Sequence, residues 1–538
     1  MGNSQLCVAV TGRTMSEIRR NRDAATGADI VEMRLDTVDR PDVAGALEGR
    51  RRPVIVTCRA AWENGFFQGS EEDRQRILEQ AFALGAEFVD VEAKADFAGD
   101  LIAARRGRGV IVSSHVYGEC PADLTARWAA LTGSGAEIAK LAVEARSLDD
   151  TAKVMALGQP PELNEEDGGG PGHVLIAMGD HGLASRVLST RIGNRWTYAG
   201  DNVAPGQVSA QRMLDEFRFH DLRPGTAVYG VVGNPVMHSL SPVMHNTGFR
   251  HFGIDAVYLP LLATDASDFV AFARALGLAG ASITAPFKVH LMESVDELEP
   301  LAQRVGAINT LTVRDGRWLG ANTDVYGFAA PLIARLGDLP AKAGSHKSEK
   351  AWLSASVGRP AAGLRATILA AGGAARAVAV ALADLGAAVT VCARRPEAAQ
   401  EVAALANGAT GELPPPAGSW DVLVNTTTWD GDAASHSPVA RDALDGRLVY
   451  DLLYVPPVTK LMADASAAGC TTIGGLEMLV AQAEEQFEIW TGQKPPAGLF
   501  QQAAGDQGAH GAPARERRGA WGPRKRPSRG PGQSPGKI

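Results

Sequence analysis

The sequence predicts an α/β protein in two parts: a (β/α)8 barrel, then an open-sheet module of two α/β domains, the second with a Rossmann-type turn. Three observations predict it. Eight short β-branched apolar runs alternate with helical stretches over about the first 220 residues, the rhythm of a closed parallel barrel. That rhythm changes around Leu222–Gly225. Beyond Ala366 a strand runs through a small-residue turn into a helix. At 538 residues the chain is also too long for one hydrophobic core.

The eight predicted strands are Leu6–Val10, Ile30–Leu35, Val54–Cys58, Phe88–Val91, Val110–Ser113, Ile138–Val143, Val174–Met178 and Trp196–Ala199. A doubly wound sheet would also alternate, but eight equal units favour closure. The Pro- and Gly-rich stretch from Gly158 to Gly172 reads as a loop before the seventh strand. Barrels build their sites at strand carboxyl ends, and polar residues gather there. Glu32 and Arg34 end the second strand on one face, and Arg59 ends the third with Glu63 shortly beyond. His115 ends the fifth and Lys140 sits in the sixth. Ser185-Arg186 follows the seventh, and Pro205-Gly206-Gln207 follows the eighth.

Lys140 interrupts the apolar run Ile138–Val143. A buried ammonium is costly unless paired or neutralised, and desolvation favours the neutral amine, a nucleophile toward ketones. These residues resemble type I 3-dehydroquinate dehydratase from about Leu6 to Gln211. The motifs that carry the resemblance are Glu32-Met33-Arg34, Thr57-Cys58-Arg59, Ser113-Ser114-His115, Lys140, Ser185-Arg186 and Ala204-Pro205-Gly206-Gln207. The resemblance implies that Lys140 forms an imine with the substrate ketone and that His115 moves protons. It implies that Glu32, Arg34 and Arg59 hold ring hydroxyls, that Arg186 and Gln207 hold the carboxylate, and that Glu63 orients His115. Val203 departs from the family, which has Ser there, and Val116-Tyr117 replaces its Asp-Phe.

In the second part, Ala227–Val232 reads as a strand, followed by Gly233-Asn234-Pro235 and His238-Ser239-Leu240-Ser241-Pro242. Ser239 and Ser241 can present two hydroxyls together; equally, Ser241 can be an N-cap with Pro242 at the first helical position. Ser282-Ile283-Thr284, Lys288, Gly306–Thr310 and Gly320–Asp324 each set polar groups after a strand-like run, toward the crevice of an open sheet. The strand Ala366–Leu369 turns at Ala370–Arg376, where small residues let backbone approach a pyrophosphate at a helix N-terminus. After the strand Ala388–Cys392, Ala393-Arg394-Arg395 stands where an NAD enzyme places an acidic residue. Two Arg there suit a 2′-phosphate, or form a solvated loop.

These segments resemble shikimate dehydrogenase across about Val228 to Gln493. The resemblance implies that Ser239 and Ser241 bind the substrate carboxylate, and that Thr284, Asn309, Asp324 and Gln482 bind ring hydroxyls. The resemblance further implies that Lys288 and Asp324 form the catalytic pair, with Lys288 a base or an orienting cation. It implies that Tyr454 lies on the substrate side, with Gly475 and Met478 near the nicotinamide, and that Gly372, Gly373, Ala374, Arg394 and Thr426 bind NADP(H). Departures are Ala370 for the family's first Gly, Ala393 for Asn and Arg395 for Thr or Ser.

The expected organisation is a barrel over 1–222, a shikimate-binding α/β domain over 223–335 and an NADP-binding Rossmann domain over 336–475. A returning helix over 476–502 and a disordered basic tail over 503–538 complete it. The net charge of -8 is uneven. The tail carries about +6 and the body about -14, which argues against nucleic-acid binding, although Arg524, Lys525 and Arg526 could touch an acidic partner. Five scattered Cys without metal-ligand spacing predict reduced thiols and no metal site. No apolar run is long enough for a membrane span, and the expected location is the cytoplasm. The resemblances together imply a bifunctional enzyme that converts 3-dehydroquinate to 3-dehydroshikimate, then to shikimate with NADPH. A quinate/shikimate dehydrogenase using NAD, or a non-catalytic metabolite sensor, are the alternatives; a sensor would be expected to lose Lys140 or Lys288, and both are present.

Overall fold

The structure is a computed structural model and describes residues 4–158, 171–200, 206–338, 359–427, 433 and 435–509. The first sheet has eight parallel strands: β1 (Gln5–Val10), β2 (Ile30–Arg34), β3 (Val54–Thr57), β4 (Phe88–Glu92), β5 (Val110–Val116), β6 (Ile138–Glu144), β7 (Gly172–Met178) and β8 (Trp196–Ala199). They run β7-β6-β5-β4-β3-β2-β1-β8. Seven ladders are made, and at the β7–β8 seam the Arg195 N–H donates to the His173 carbonyl at 2.8 Å. All eight predicted strands are present. β5 runs past the apolar run Val110–Ser113 and takes in His115 near its carboxyl end.

Strand side chains alternate between faces. Cys7, Ile30, Ile55, Ile111, Ile138, Val174, Ile176, Trp196 and Tyr198 pack together as one apolar cluster inside the barrel. The next inward positions toward the carboxyl ends are Glu32, Thr57, Asp90, Ser113 and Lys140, all buried. The barrel is therefore an oily plug beneath a charged floor.

The second sheet comprises β9 (Ala227–Gly233), β10 (Ala256–Leu262), β11 (Gly280–Ile283), β12 (Glu297–Leu298), β13 (Thr310–Arg314) and β14 (Arg317–Ala321), in the order β10-β9-β11-β13-β14-β12. The third comprises β15 (Arg365–Leu369), β16 (Ala388–Cys392), β17 (Ala409–Thr410), β18 (Val422–Asn425), β19 (Leu448–Asp451) and β20 (Thr471–Gly474), all parallel. Its order, β17-β16-β15-β18-β19-β20, reverses direction at β15, and such a switch point opens a ligand crevice at the carboxyl ends. The helices Asp324–Asp338 and Gly475–Thr491 pack on each other and join the two domains. Gly327 allows it: a Cβ there would lie 2.6 Å from the Gln482 Cβ.

Residues 503–509, expected to open the tail, are helical. Helix Leu499–Ala509 runs through them, burying Phe500, Ala503 and Ala504 against helix Ser241–Phe252. Those three apolar residues at i, i+3 and i+4 form a helical stripe that outweighs the polar composition downstream. Residues 510–538, the stretch from Lys342 to Lys350, most of the Gly158–Gly172 loop, and Val203, Ala204 and Pro205 lie outside the described residues.

The two parts share a core. One apolar cluster contains Leu148, Leu183 and Val187 of the barrel with Leu261, Phe269 and Phe272 of the second sheet and its helix Ala266–Leu276. The Asp268 carboxylate crosses the boundary, accepting the Leu148 and Asp149 N–H groups at 3.2 and 2.8 Å. Among the described residues no helix is long and apolar enough to cross a membrane.

Candidate active sites

The first site lies on the barrel floor. Lys140 Nζ sits 2.9 Å from Asp90 Oδ2, 3.6 Å from Glu32 Oε1, and 4.3 Å from the centre of the Tyr198 ring. The sequence run around Lys140 is apolar, but the facing strands supply carboxylates beside it. Asp90 also accepts from Arg59 Nη2 at 2.8 Å and Ser113 Oγ at 2.6 Å. Burial works to raise its pKa, but Arg59 and Lys140 overcome that and hold the carboxyl below the usual range. Arg59 further pairs with Glu92 at 3.0 Å, and Glu32 accepts from Thr57 Oγ1 at 2.6 Å.

His115 stands beside this floor. Glu63 Oε1 accepts both the His115 backbone N–H at 2.8 Å and the ring Nδ1–H at 2.7 Å. A carboxylate there assigns the proton to Nδ1 and leaves Nε2 with its lone pair. Burial, helped by the cations Arg59 and Lys140, lowers the His115 pKa well below its ordinary value, so the ring is neutral. Burial pushes the Glu63 carboxyl up to about 7 against the opposing pull of Arg59.

Arg34 is held bidentately by Asp36 at 2.9 and 2.8 Å, which fixes its guanidinium at the end of β2. Arg186, on the short helix Leu183–Val187, donates from Nη1 to the Tyr198 carbonyl at 3.4 Å; burial lowers its pKa to about 10. Gln207 follows Gly206, whose φ of +67° and close approach exclude a side chain: a Cβ would lie 2.2 Å from the Gly179 carbonyl oxygen. Asp90 and Glu92 are not legible from strand ends alone, and Thr57 and Ser113, quoted only as motif members, prove to be part of the floor's hydrogen bonding. Alternation along Phe88-Val89-Asp90-Val91-Glu92 would have placed both acids on the inner face.

The second site lies between the second and third sheets. Lys288 Nζ donates to Asp324 Oδ2. Asp324 Oδ1 accepts from Asn309 Nδ2 at 2.9 Å, and the same amide reaches Gln482 Oε1 at 3.1 Å and Thr323 Oγ1 at 2.9 Å. Four of the expected residues thus form one network. Its backing was not foreseen: Tyr258 donates to Ser282 at 2.5 Å, Ser282 to Gln486 at 2.7 Å, and Gln486 to the Asn309 carbonyl at 3.0 Å. Gln486 lies four residues after Gln482, the spacing that puts both on one helix face.

Ser241 is not an N-cap. It is the first residue of its helix, and its N–H donates to Ser239 Oγ at 3.2 Å. Ser239 is also hydrogen-bonded to Tyr454, which burial raises in pKa. Thr284 packs against Gly233 in the neighbouring turn. Lys288 lies against the third sheet's turn, since a Cβ on Gly373 would stand 3.0 Å from the Lys288 Cβ.

That turn fits a dinucleotide. Gly372 is the N-cap of helix Gly373–Asp384, Ala374 is its second residue, and a Cβ on Gly372 would meet nothing within 4 Å. The helix N-terminus therefore offers backbone N–H groups to an anion in open space. Arg394 and Arg395 are exposed just past β16. Thr426 spends its hydroxyl internally, on the Leu369 carbonyl at 2.6 Å. Gly475 is required by packing, because a Cβ would lie 2.1 Å from the Leu452 carbonyl oxygen, and Met478 is buried one turn on. Ala370 has a φ of +81°, so the departure at this position places an L side chain in left-handed backbone. Among the described residues no cluster of three or more His, Cys, Asp or Glu could hold a metal ion.

Three family models match. Residues 6–222 match the type I 3-dehydroquinase, 231–311 the shikimate dehydrogenase substrate binding domain, and 475–504 the shikimate 5'-dehydrogenase C-terminal domain. The chain is 33% identical over 524 residues to the bifunctional 3-dehydroquinate dehydratase/shikimate dehydrogenase, chloroplastic, of Arabidopsis thaliana, covering 93% of this chain and 84% of that one. It is 42% identical over 282 residues to a shikimate dehydrogenase (NADP(+)) of Halorubrum lacusprofundi, covering 50% of this chain and 94% of the relative. The solved dehydroquinate dehydratase and shikimate dehydrogenase from S. pombe AroM is 22% identical with a TM-score of 0.39, covering 94% of this chain and 98% of that one.

Proposed function

The chain belongs to the bifunctional 3-dehydroquinate dehydratase/shikimate dehydrogenase family, and from that premise we propose how its residues divide the two reactions. The observation that carries the first half is a buried lysine among carboxylates beside a neutral, oriented histidine. Lys140 adds to the ring ketone of 3-dehydroquinate and water leaves, forming a protonated imine. Asp90 and Glu32 face that cation as they face the free Lys140 side chain. The imine draws electrons from the adjacent carbon, and His115 Nε2 takes its proton. The same proton leaves with the departing hydroxyl as water, and a second water hydrolyses the imine to 3-dehydroshikimate and free Lys140. Arg186 and Gln207 hold the carboxylate, while Glu32, Arg34 and Arg59 hold ring hydroxyls.

In the second half, Ser239 and Ser241 receive the carboxylate of 3-dehydroshikimate, with Tyr454 bridging to Ser239. Thr284, Asn309, Asp324 and Gln482 face the hydroxyls. Lys288, hydrogen-bonded to Asp324, orients the ketone oxygen and gives it the proton that reduction to shikimate requires. NADPH, when bound, supplies the reducing equivalent. Gly372, Gly373 and Ala374 hold its pyrophosphate, Arg394 its 2′-phosphate, and Thr426, Gly475 and Met478 shape the nicotinamide side. All five cysteines are free, which supports a reducing, cytoplasmic setting; the ligands are small acids, with no nucleic acid or membrane.

The test supplies 3-dehydroquinate and NADPH to the purified chain and follows absorbance loss. Lys140→Ala is expected to abolish consumption from that substrate and to leave reduction of added 3-dehydroshikimate intact. Loss of both in a folded variant would refute two independent sites. Borohydride should trap substrate on Lys140, and an adduct on another lysine would overturn the assignment.

A further inference from the structure

The turn that precedes Arg186 is gripped from two sides. It comprises Asp180–Gly182, between β7 and helix Leu183–Val187. On the barrel side, Thr151 Oγ1 donates to the His181 carbonyl at 3.0 Å from helix Leu148–Met155. On the other side the His181 ring leaves the barrel, and its Nδ1–H donates to the Leu262 carbonyl at the end of β10 at 2.8 Å. The helix that supplies Thr151 is itself fixed by the second part: Asp268 accepts its first two N–H groups, and a third from Thr264 at 2.9 Å.

The turn has little freedom of its own. A Cβ on Gly182 would lie 2.1 Å from the Ala177 carbonyl oxygen. Ser185 Oγ ties the helix to both Ala177 and Gly182, accepting from one N–H at 2.9 Å and donating to the other carbonyl at 2.8 Å. Gly206, immediately before Gln207, rests on the Gly179 backbone at the opposite end of the same turn. A shift of the turn therefore moves Arg186 and Gln207 together.

We infer that the dehydrogenase part positions the dehydratase's carboxylate clamp, with His181 of the barrel and Asp268 of the dehydrogenase part as positioning residues that set Arg186 and Gln207 through this turn. Neither touches substrate. Their contribution is to binding geometry, so losing them weakens capture of 3-dehydroquinate more than it slows the chemistry at Lys140. The inference rests on Arg186 being the carboxylate ligand.

The experiment uses full-length variants with both activities measured separately. His181→Ala is expected to raise the dehydratase KM about fivefold, the worth of one hydrogen bond. Its kcat should stay within about twofold, with the dehydrogenase constants unchanged. His181→Asn presents an amide N–H where Nδ1–H stood and is expected to restore KM, which mere loss of stability would not do. Asp268→Asn, which keeps size while weakening the acceptor, should raise the same KM and supplies the test if His181→Ala does not fold. Arg186→Ala is the control. If it leaves KM unchanged, the ligand assignment fails and the inference with it. If it raises KM while His181→Ala and Asp268→Asn behave as wild type, the clamp reading alone is overturned.

Discussion

Two adjacent alanines should respond to glycine with opposite signs. Ala370 leaves β15 with φ +81°, whereas Ala371 lies outside the left-handed region. The Ala370 N–H donates to the Cys392 carbonyl at 2.9 Å, so the strand register holds the residue and it cannot relax without breaking that bond. An L side chain in left-handed backbone costs about 1–2 kcal/mol, which Ala370→Gly removes. Glycine's extra freedom in the unfolded chain returns about 0.4–1 kcal/mol. The net is a stabilisation of about 0.5–1 kcal/mol for Ala370→Gly and a loss of about 0.5–1 kcal/mol for Ala371→Gly. At about 2–4 °C per kcal/mol for a domain of this size, the two variants should differ by about 4 °C in Tm. The assay is calorimetry of the full chain, following the transition that NADP+ raises. If Ala370→Gly lowers that midpoint as Ala371→Gly does, the strain argument is wrong.

Other expectations concern protons and cofactor choice. Dehydratase kcat/KM should show an acid limb near pH 7, where the buried Glu63 carboxyl protonates and stops accepting the His115 Nδ1–H. Glu63→Gln should remove the limb and cost about a hundredfold, measured by pH profiles of both proteins. His245 is fully buried, stacks on Tyr258 at 4.4 Å, and is held down by burial at a pKa of about 3. The native state therefore stays unprotonated at this site while the unfolded chain protonates below about 6.5, so stability falls as pH drops from 6.5 toward 3. Urea unfolding of the dehydrogenase part should lose about 2 kcal/mol more between pH 6.5 and 5 in wild type than in His245→Phe. Arg394→Ala should raise the NADPH KM about tenfold and leave that for NADH nearly unchanged, because only the phosphate contact is lost.

What the sequence revealed depended on where the signal was local. Lys140 stood out because a charge interrupts an apolar run, and the Ala366–Cys392 unit because strand, turn, helix and strand follow within one stretch. The eight barrel strands were legible for the same reason. Local reading failed where the partner was distant. Asp90 and Lys140 are 50 residues apart, and Asp268 meets Leu148 across 120. The N-cap reading of Ser241 failed because the helix starts one residue earlier than expected, with Leu240 at the N-cap and Ser241 already its first residue. The helix through Ala509 was obscured by the polar residues around its three buried positions. Left-handed backbone at Ala370 is invisible in a residue whose usual preference lies elsewhere.

The shared core across the fusion boundary has a further consequence for the cell. Phe269, Phe272, Leu148 and Leu183 lie in one continuous oily layer, so parting the halves would lay that layer bare to water. The two catalysts are thus born in equal numbers and are removed together by any event that melts the seam.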